Sequence, residues 1–340
     1  MRISLDGGAL CAKTNTAFGN YTFTKNFVLA LSKFSPFHSY LIYTFCNYSL
    51  DKNSNSNLKF TNLGSPRLWM KLRIPYEELK LKNNIFLALN QAVPSFTSSR
   101  IITFSHGLSF LHHPIFYGND ARAMKKQLVD AVKKSEAIVV SSDKVRSELL
   151  TSYPFVKKCL TLTFGVPFDM QEYKKLARKK FFLYVGMDHP IKNLPFLLKV
   201  FEKFRMKFKN NEYKLVLVSN AKRSSDYPKE VEIISSITRE NLRKLYQTAT
   251  AYLSASHYES FNFPVLEALS QNCPVITRPS SVIPEMKEWV YIADSEYDFV
   301  LKMGEASAGR LKGKSRKKVT DIFSWKSYIE KLHDLYKETV

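Results

Sequence analysis

Three things are scarce in this chain of 340 residues: long apolar runs, paired cysteines and acidic side chains. No stretch of about 18 consecutive apolar residues occurs, so no membrane-spanning helix is expected. The amino terminus, "MRISLDGGALCAKTNTAFGNYTF", lacks the apolar core behind a basic start that marks a secretory leader. A cytoplasmic chain, not a secreted one, is the expectation. Cys11, Cys46, Cys159 and Cys273 are scattered, with no CxxC pair and no histidine at ligand spacing. They read as free, buried thiols in a reducing compartment, and a zinc site is not expected. Glycine is thin as well, with 11 residues, and neither a GxGxxG fingerprint nor a Walker loop is present. Kinase-type phosphoryl transfer therefore has no support.

The acid shortage leaves 51 Lys and Arg against 30 Asp and Glu, a formal charge of +21. Such a surplus attracts anions, whether nucleic acid, a membrane face or phosphorylated small molecules, and says nothing about fold. No nucleic-acid-binding motif accompanies it, so nucleic acid is not the expected partner. The basic helix "MKKQLVDAVKK" could dock on an anionic membrane, or could simply be a solvated face. "RLWMKLR" also looks membrane-seeking, although packing of Trp69 is the preferred reading.

What is present is a soluble-protein balance, 45% hydrophobic and 24% charged, in a length that suits two domains of about 150 residues. Short apolar runs alternate with helical spacing. "MRISLD", "YLIYTF", "RIITFSHG", "AIVVSS" and "CLTLTFGVP" read as strands, with "TKNFVLALSKF", "MKKQLVDAVKKSE" and "DKVRSELL" as helices. "KNSNSNLK" reads as a polar loop. Residues 168–180 are polar and carry no strand, which places a domain boundary there. The alternation then restarts with the strands "FFLYVG", "YKLVLVS", "TAYLSAS" and "PVITRP". Between and after them come the helices "NLPFLLKVFEKFRMKF", "TRENLRKLYQTA" capped by Thr238, "FPVLEALSQN" and "SYIEKLHDLYKET". Two successive α/β units with parallel sheets follow.

Ligands of such sheets bind where strands end and helices begin. Five junctions qualify: Gly19, His106, Gly186 with Lys192, Ser219 onward, and Glu259 onward. "ESFNFPVLEAL" brackets an apolar turn with Glu259 and Glu267. Pro264 suits a helix start, and the preceding amides suit an anionic or hydroxyl-rich ligand. On spacing alone, Glu267 is plainly read as a first-turn acid balancing the helix dipole. "LYVGMDHPIKN" ends a strand at Gly186 and sets Lys192 before a helix, where a point charge can neutralise a diphosphate. "FSHGLSFLHHP" puts His106 directly after a strand, able to bond a sugar hydroxyl or shuttle a proton. His112 and His113 read as loop histidines. Gly19 ends a Gly-bearing loop before the first helix and would admit a phosphate close to the backbone.

Together these segments resemble glycosyltransferase family 4, the retaining nucleotide-sugar transferases of the glycosyltransferase-B fold. The resemblance rests on the spaced Glu pair with "ALSQNCPVITRPSSVIPE" after it, "YVGMDHPIKN", "HGLSFLHHP", "AFGNYTFTKNFVLAL", "RLWMKLRIPYEEL" and "FSWKSYIEKL". It covers nearly the whole chain in order. It implies two Rossmann-like domains facing across a cleft: residues 1–168 on the acceptor side, 169–322 for the nucleotide sugar, and a helix in 323–340 returning to the first domain. It implies that Glu267 holds the donor ribose and Lys192 the diphosphate. Glu259 with the amides of Phe261, Asn262 and Phe263 would hold the transferred sugar, His106 would contact it, and Gly19 would lie near the phosphates.

Three departures from the family pattern stand out. Met187 occupies the place of a diphosphate-binding Arg, which turns attention to Lys222 and Arg223. Ser260 and Asn262, and then Asn272, replace glycines. No cofactor or metal is expected. The donor would be GDP- or UDP-linked, with a tilt toward GDP-mannose, and the acceptor a glycan or a lipid-linked glycan. Two alternatives remain from other classes: an inactive sugar-nucleotide-binding homologue, and a nucleic-acid-associated transferase.

Overall fold

The computed structural model describes residues 1–12, 19–50, 57–222, 227–314 and 316–340. The chain divides into two units, residues 1–165 with 324–340, and residues 166–323.

Unit 1 is built on a seven-stranded parallel sheet. Its strands are β1 (Arg2–Asp6), β2 (Ser39–Thr44), β3 (Leu58–Asn62), β4 (Ile85–Ala88), β5 (Arg100–Ser105), β6 (Ala137–Val140) and β7 (Cys159–Thr161), in the order β3-β2-β1-β4-β5-β6-β7. Its helices in chain order are α1 (Gly19–Phe34), α2 (Ile74–Leu81), the single turn α3 (Ser109–His112), α4 (Asp120–Lys134) and α5 (Asp143–Ser152). The central strands are apolar on both faces, as a sheet covered on both sides demands: every residue of β4 and β6 is buried. β3 is different. Its sequence, LKFTN, is half-exposed throughout, and it pairs as an edge strand along β2 where the sequence suggested only a polar loop. Residues 52–56 of that loop, and Asp51 before it, lie outside the described residues.

Unit 2 repeats the plan with six parallel strands, β8 (Lys179–Val185), β9 (Lys214–Val218), β10 (Val231–Ile234), β11 (Ala249–Ser254), β12 (Val275–Thr277) and β13 (Tyr291–Ile292), in the order β10-β9-β8-β11-β12-β13. The helices are α6 (Leu194–Phe208), α7 (Arg239–Thr248), α8 (Phe263–Ser270), α9 (Glu296–Ser307) and α10 (Arg316–Ile322). Leu197, Phe201 and Phe204, at i, i+4 and i+7 of α6, are fully buried in one cluster with Phe182, Leu215 and Leu253 of the sheet. The order reverses between β8 and β11, so the loops leaving β9, β8 and β11 emerge side by side at one edge. The last helix, α11 (Trp325–Thr339), belongs to unit 1 and packs on α1. Gly165 fits against it so tightly that a Cβ there would sit 2.4 Å from the Trp325 amide.

The structure corrects the thiol expectation. Cys11 and Cys46 form a disulfide, with Cα atoms 5.7 Å apart, and only Cys159 and Cys273 are free. The reason is topological: β1 and β2 are parallel neighbours, so their carboxyl ends, where the two cysteines follow, lie side by side. Spacing in the sequence does not display that adjacency.

Closing a loop of 35 residues removes chain entropy worth roughly 2–4 kcal/mol from the unfolded state. Cys11→Ser with Cys46→Ser should therefore lower unfolding free energy by about that amount. Peptide mapping without reductant should recover the two cysteines linked, and alkylation after denaturation should label only Cys159 and Cys273.

Candidate functional site in the second unit

The stretch between the two glutamates turns on one residue. Asn262 has φ 71° and ψ 70°, in the left-handed region, and caps α8 with Pro264 in the first turn. Asparagine tolerates that backbone better than other side chains with a Cβ. Its amide also fixes the turn, because Nδ2 donates to Ser254 Oγ at 3.0 Å and to the Ser281 carbonyl at 2.8 Å. Phe261 and Phe263 bury their rings edge to face, 5.3 Å apart. The turn is thereby held from below by apolar packing and from both sides by hydrogen bonds.

Glu259, on the near side of the turn, is 8% exposed. Its Oε1 accepts from Lys192 Nζ at 2.7 Å and from Ser256 Oγ at 2.7 Å. Lys192 ends a short turn, Pro190–Lys192, that follows β8. His189 caps this turn, its Nδ1 accepting from the Ile191 amide, and Asn193 after it is again left-handed. The His257 amide donates to the Ile191 carbonyl at 2.8 Å, which joins the β8 and β11 loops directly. The Asp188 amide donates to Asn220 Oδ1 at 2.8 Å and adds the β9 loop. Three loops are thus cross-linked at one sheet edge, with a Lys–Glu pair at their centre.

A Cβ at Gly186 would sit 2.6 Å from the Tyr184 hydroxyl, so any larger residue there would have to displace that side chain. That hydroxyl donates to the carbonyl of Met187. Lys222 is exposed in the loop that follows β9. Arg223 lies outside the described residues, as do residues 13–18 before Gly19.

Glu267, on the far side of the turn, is 3% exposed. Arg239 Nη2 donates to its Oε1 at 2.6 Å and the Tyr246 hydroxyl to its Oε2 at 3.0 Å. Burial pushes its carboxyl pKa up, and Arg239 opposes that shift. Burial, and then the Glu267 charge, also raise the Tyr246 phenol, which keeps it a proton donor. Arg239 holds Asp169 as well, through two bonds of 2.9 and 3.1 Å. Each carboxylate of the pair therefore has its own cation.

The sequence reading missed Arg239, Tyr246, Asp169 and Ser256. One signal was available: Arg239 is the first residue of α7, next to the Thr238 cap, where a positive charge opposes the helix dipole. A cation in that place needs a carboxylate partner. Tyr246 follows seven residues later on the same face.

Two sequence-predicted residues belong to unit 1. Gly19 opens α1 and is exposed, and a Cβ there would meet nothing within 4 Å, so the described protein does not itself require glycine. His106 follows β5. Its Nε2 lies 2.6 Å from the Leu89 carbonyl and must donate to it, and its ring packs 4.4 Å from Phe23. Burial lowers its pKa to about 4. A neutral His106 with Nδ1 as acceptor is the state present near pH 7. Of the two histidines read as loop residues, His112 instead ends the turn α3 and lies 3.4 Å from Glu148, and His113 follows it and stacks on Phe116.

Comparisons with known proteins bear on this geometry. Residues 166–293, which contain Met187, Lys192, Arg239, Glu259 and Glu267, match the family model described as Glycosyl transferases group 1. Over 212 residues the chain is 26% identical to the O-antigen chain mannosyltransferase B of Escherichia coli, covering 55% of each. The chain thus spans about half the length of that curated relative. Among solved structures, sucrose-phosphate synthase from Thermosynechococcus elongatus superimposes with a TM-score of 0.78 at 14% identity, over 99% of this chain and 98% of that one. A trehalose-6-phosphate protein from E. coli, bound with UDP-2-fluoro glucose, gives 0.71 at 10% identity over the full length of both. WaaG, a glycosyltransferase involved in lipopolysaccharide biosynthesis, gives 0.71 at 12% identity, over 98% and 99%. These likenesses show the fold: two parallel-sheet α/β units of the glycosyltransferase-B type.

Two predictions follow from the charges. Arg239→Ala strands Glu267 as a buried carboxylate without its cation, and should destabilise unit 2 by about 2–3 kcal/mol, less than for a fully enclosed pair because Arg239 is one-third exposed. Chemical denaturation of the variant, with Glu267→Gln added to restore stability, checks it. His106 takes up its proton more readily unfolded than folded, so its contribution to stability is full above about pH 6.5 and is lost as pH falls toward 4. Imidazole NMR should show it uncharged at pH 6, and protonation there would overturn the assignment.

Proposed function

We propose that the chain moves a hexose from a nucleoside-diphosphate sugar to a hydroxyl of a glycan or lipid-linked acceptor, with retention of anomeric configuration. The observation that carries the proposal is the Lys192–Glu259 pair beside the left-handed turn at Asn262, within the segment that matches the family model. The relative's name, a mannosyltransferase, supports mannose as the sugar, and GDP-mannose is the preferred donor.

In this reading Lys192 exchanges partners. In the free protein its charge is spent on Glu259. An arriving diphosphate takes the ammonium, and Glu259, still bonded by Ser256, accepts hydroxyl protons of the sugar instead. The amides of Phe261 to Phe263 lie at the start of α8, where the helix field favours negative charge. Glu267 uses one lone pair on each oxygen for Arg239 and Tyr246, which leaves acceptor capacity for two ribose hydroxyls. Charge that develops on the leaving diphosphate is stabilised by Lys192 and the helix start. Lys222 and Arg223 are the candidates to replace the arginine that Met187 lacks. Chemistry without a metal ion is part of the proposal, as is activity in the cytoplasm or at its membrane surface. A binder without turnover is the second reading, favoured by Met187 alone.

The partner exchange has a measurable consequence. GDP draws Lys192 away and leaves Glu259 uncompensated, whereas GDP-mannose supplies hydroxyls to it, so the sugar nucleotide should bind about tenfold tighter than GDP. Thermal unfolding with GDP, UDP, GDP-mannose and UDP-glucose, with Mg²⁺ or chelator, tests this. Saturation near 100 times the dissociation constant should add about 2.7 kcal/mol, with chelator making no difference. Lys192→Ala and Glu267→Ala should lose the shift. If no nucleotide shifts the wild type, the donor site is refuted. Binding without transfer to any glycan acceptor would select the second reading.

A further inference from the structure

Helix α2 is amphipathic in the wrong sense for a helix of a soluble core. It buries Glu78 and exposes its leucines. Glu78 is fully buried, where it accepts from the Tyr43 hydroxyl at 2.8 Å, Asn83 at 2.9 Å and Ser99 at 2.6 Å. Ile74 and Pro75 are buried beside it. On the opposite side Leu68, Leu72 and Leu79 are each 54% exposed and Tyr76 is 62% exposed. Their spacing of four, four and three sets them in one row, which runs through the wide π-helical turn Trp69–Arg73 into α2. Phe96, 46% exposed, lies close by, because Ser95 donates from its amide to the Met70 carbonyl. Single exposed leucines are ordinary, but a row of them is not.

The row is flanked by bases. Residues 67–82 contain Arg67, Lys71, Arg73, Lys80 and Lys82 against Glu77 and the buried Glu78. Lys80 Nζ sits 3.9 Å over the Tyr76 ring and pairs with Glu77 at 2.9 Å. Trp69 is held inward, its Nε1 donating to Asp6 at 2.8 Å, so packing does account for that residue. It does not account for its neighbours. Helix α4, the membrane candidate from sequence, offers no such row: its Leu128, Ala131 and Val132 are buried and its exposed face carries Arg122, Lys125 and Lys126.

We propose that the face formed by residues 67–82 docks on an anionic lipid bilayer, with the leucines and Tyr76 entering the boundary between headgroups and acyl chains and the bases meeting lipid phosphates. Charge selects this occupant. A second copy of the same face would bring its bases against these, whereas an anionic leaflet attracts them and accepts the apolar row. Lysine and arginine stems can lie along the acyl boundary while their charges stay at the headgroups. The proposal stands on unit 1 alone and holds whether or not the chain transfers sugar.

Flotation of the full chain with vesicles tests it, using phosphatidylcholine alone and phosphatidylcholine with about one-third phosphatidylglycerol. The chain should float with the anionic vesicles and not with the neutral ones, less so as salt rises. Leu72→Ser with Leu79→Ser, and separately Arg67→Gln with Lys71→Gln, should each weaken binding by about tenfold. These side chains are exposed, so thermal midpoints and any nucleotide-induced shift should be unchanged. Failure to float, or flotation of the leucine variant like the wild type, would overturn the proposal. So would equal binding to neutral vesicles, or a concentration-dependent dimer in sedimentation that the leucine substitutions abolish while vesicles are ignored. Loss of nucleotide binding with flotation intact would count against the transferase reading only.

Discussion

Two carboxylates lie almost out of water in unit 2, eight residues apart, and each must be given a positive partner. That requirement organises the sheet edge. Satisfying Glu259 brings Lys192 over from the loop after β8. Satisfying Glu267 brings Arg239 from the start of α7 and Tyr246 from its end. The chain between the glutamates must then reverse sharply without exposing backbone, and Asn262 does so in a left-handed conformation while its amide closes two bonds below. A glycine could adopt the same backbone but could not make those bonds. Asparagine at this position therefore makes the turn and adds an anchor to it.

The strand–helix alternation was legible because most strands are buried on both faces and announce themselves as short apolar runs. Thr238 was legible for a local reason: a capping hydroxyl bonds an amide three residues on, here that of Asn241. What escaped was in part short, in part polar and in part non-local. β13 has two residues, β3 is a half-exposed edge of only five, and β4 and β10 were passed over although each is as long as β6. The Cys11–Cys46 bond depends on β1 and β2 being neighbours, and the partners of Glu267 depend on α7 lying beside α8. At the candidate site the sequence marked the carboxylates and Lys192 but not what each would touch. Contacts between loops of different strands leave no spacing to read.

The inverted helix α2 shows the same limit from the other side. Its pattern of leucines every three or four residues is the pattern of a buried stripe, and periodicity cannot say which side of a helix faces the core. Here the decision is made by Glu78, whose four hydrogen-bonding partners, Tyr43, Thr97, Ser99 and Asn83, come from β2, the end of α2 and the segment before β5. A carboxylate so fully satisfied can be buried in place of leucine. Once it is, the leucines have only the surface left.

The surplus of positive charge can then be divided by use. Some of it neutralises buried carboxylates, as Lys192 and Arg239 do. Another part serves backbone carbonyls. Arg178 donates to the carbonyls of Tyr246, Gln247, Ala249 and Asn272, and so closes the carboxyl end of α7. Arg316 donates to Ser270 and Gln171, and closes α8. Both lie at helix ends where carbonyls lack partners and the dipole favours a cation. Neither helix ends on a glycine, and a chain poor in glycine has to satisfy those carbonyls another way. At α7 an arginine reaching in from elsewhere in the unit does so without a left-handed residue, whereas α8 combines Arg316 with the left-handed Asn272, φ 54°. Such cations keep their full charge, because the carbonyls they bond are neutral, and they still add to the field that attracts anions. That field belongs to the protein as a whole; along residues 67–82 it adjoins exposed apolar surface, which is where it can serve a specific contact.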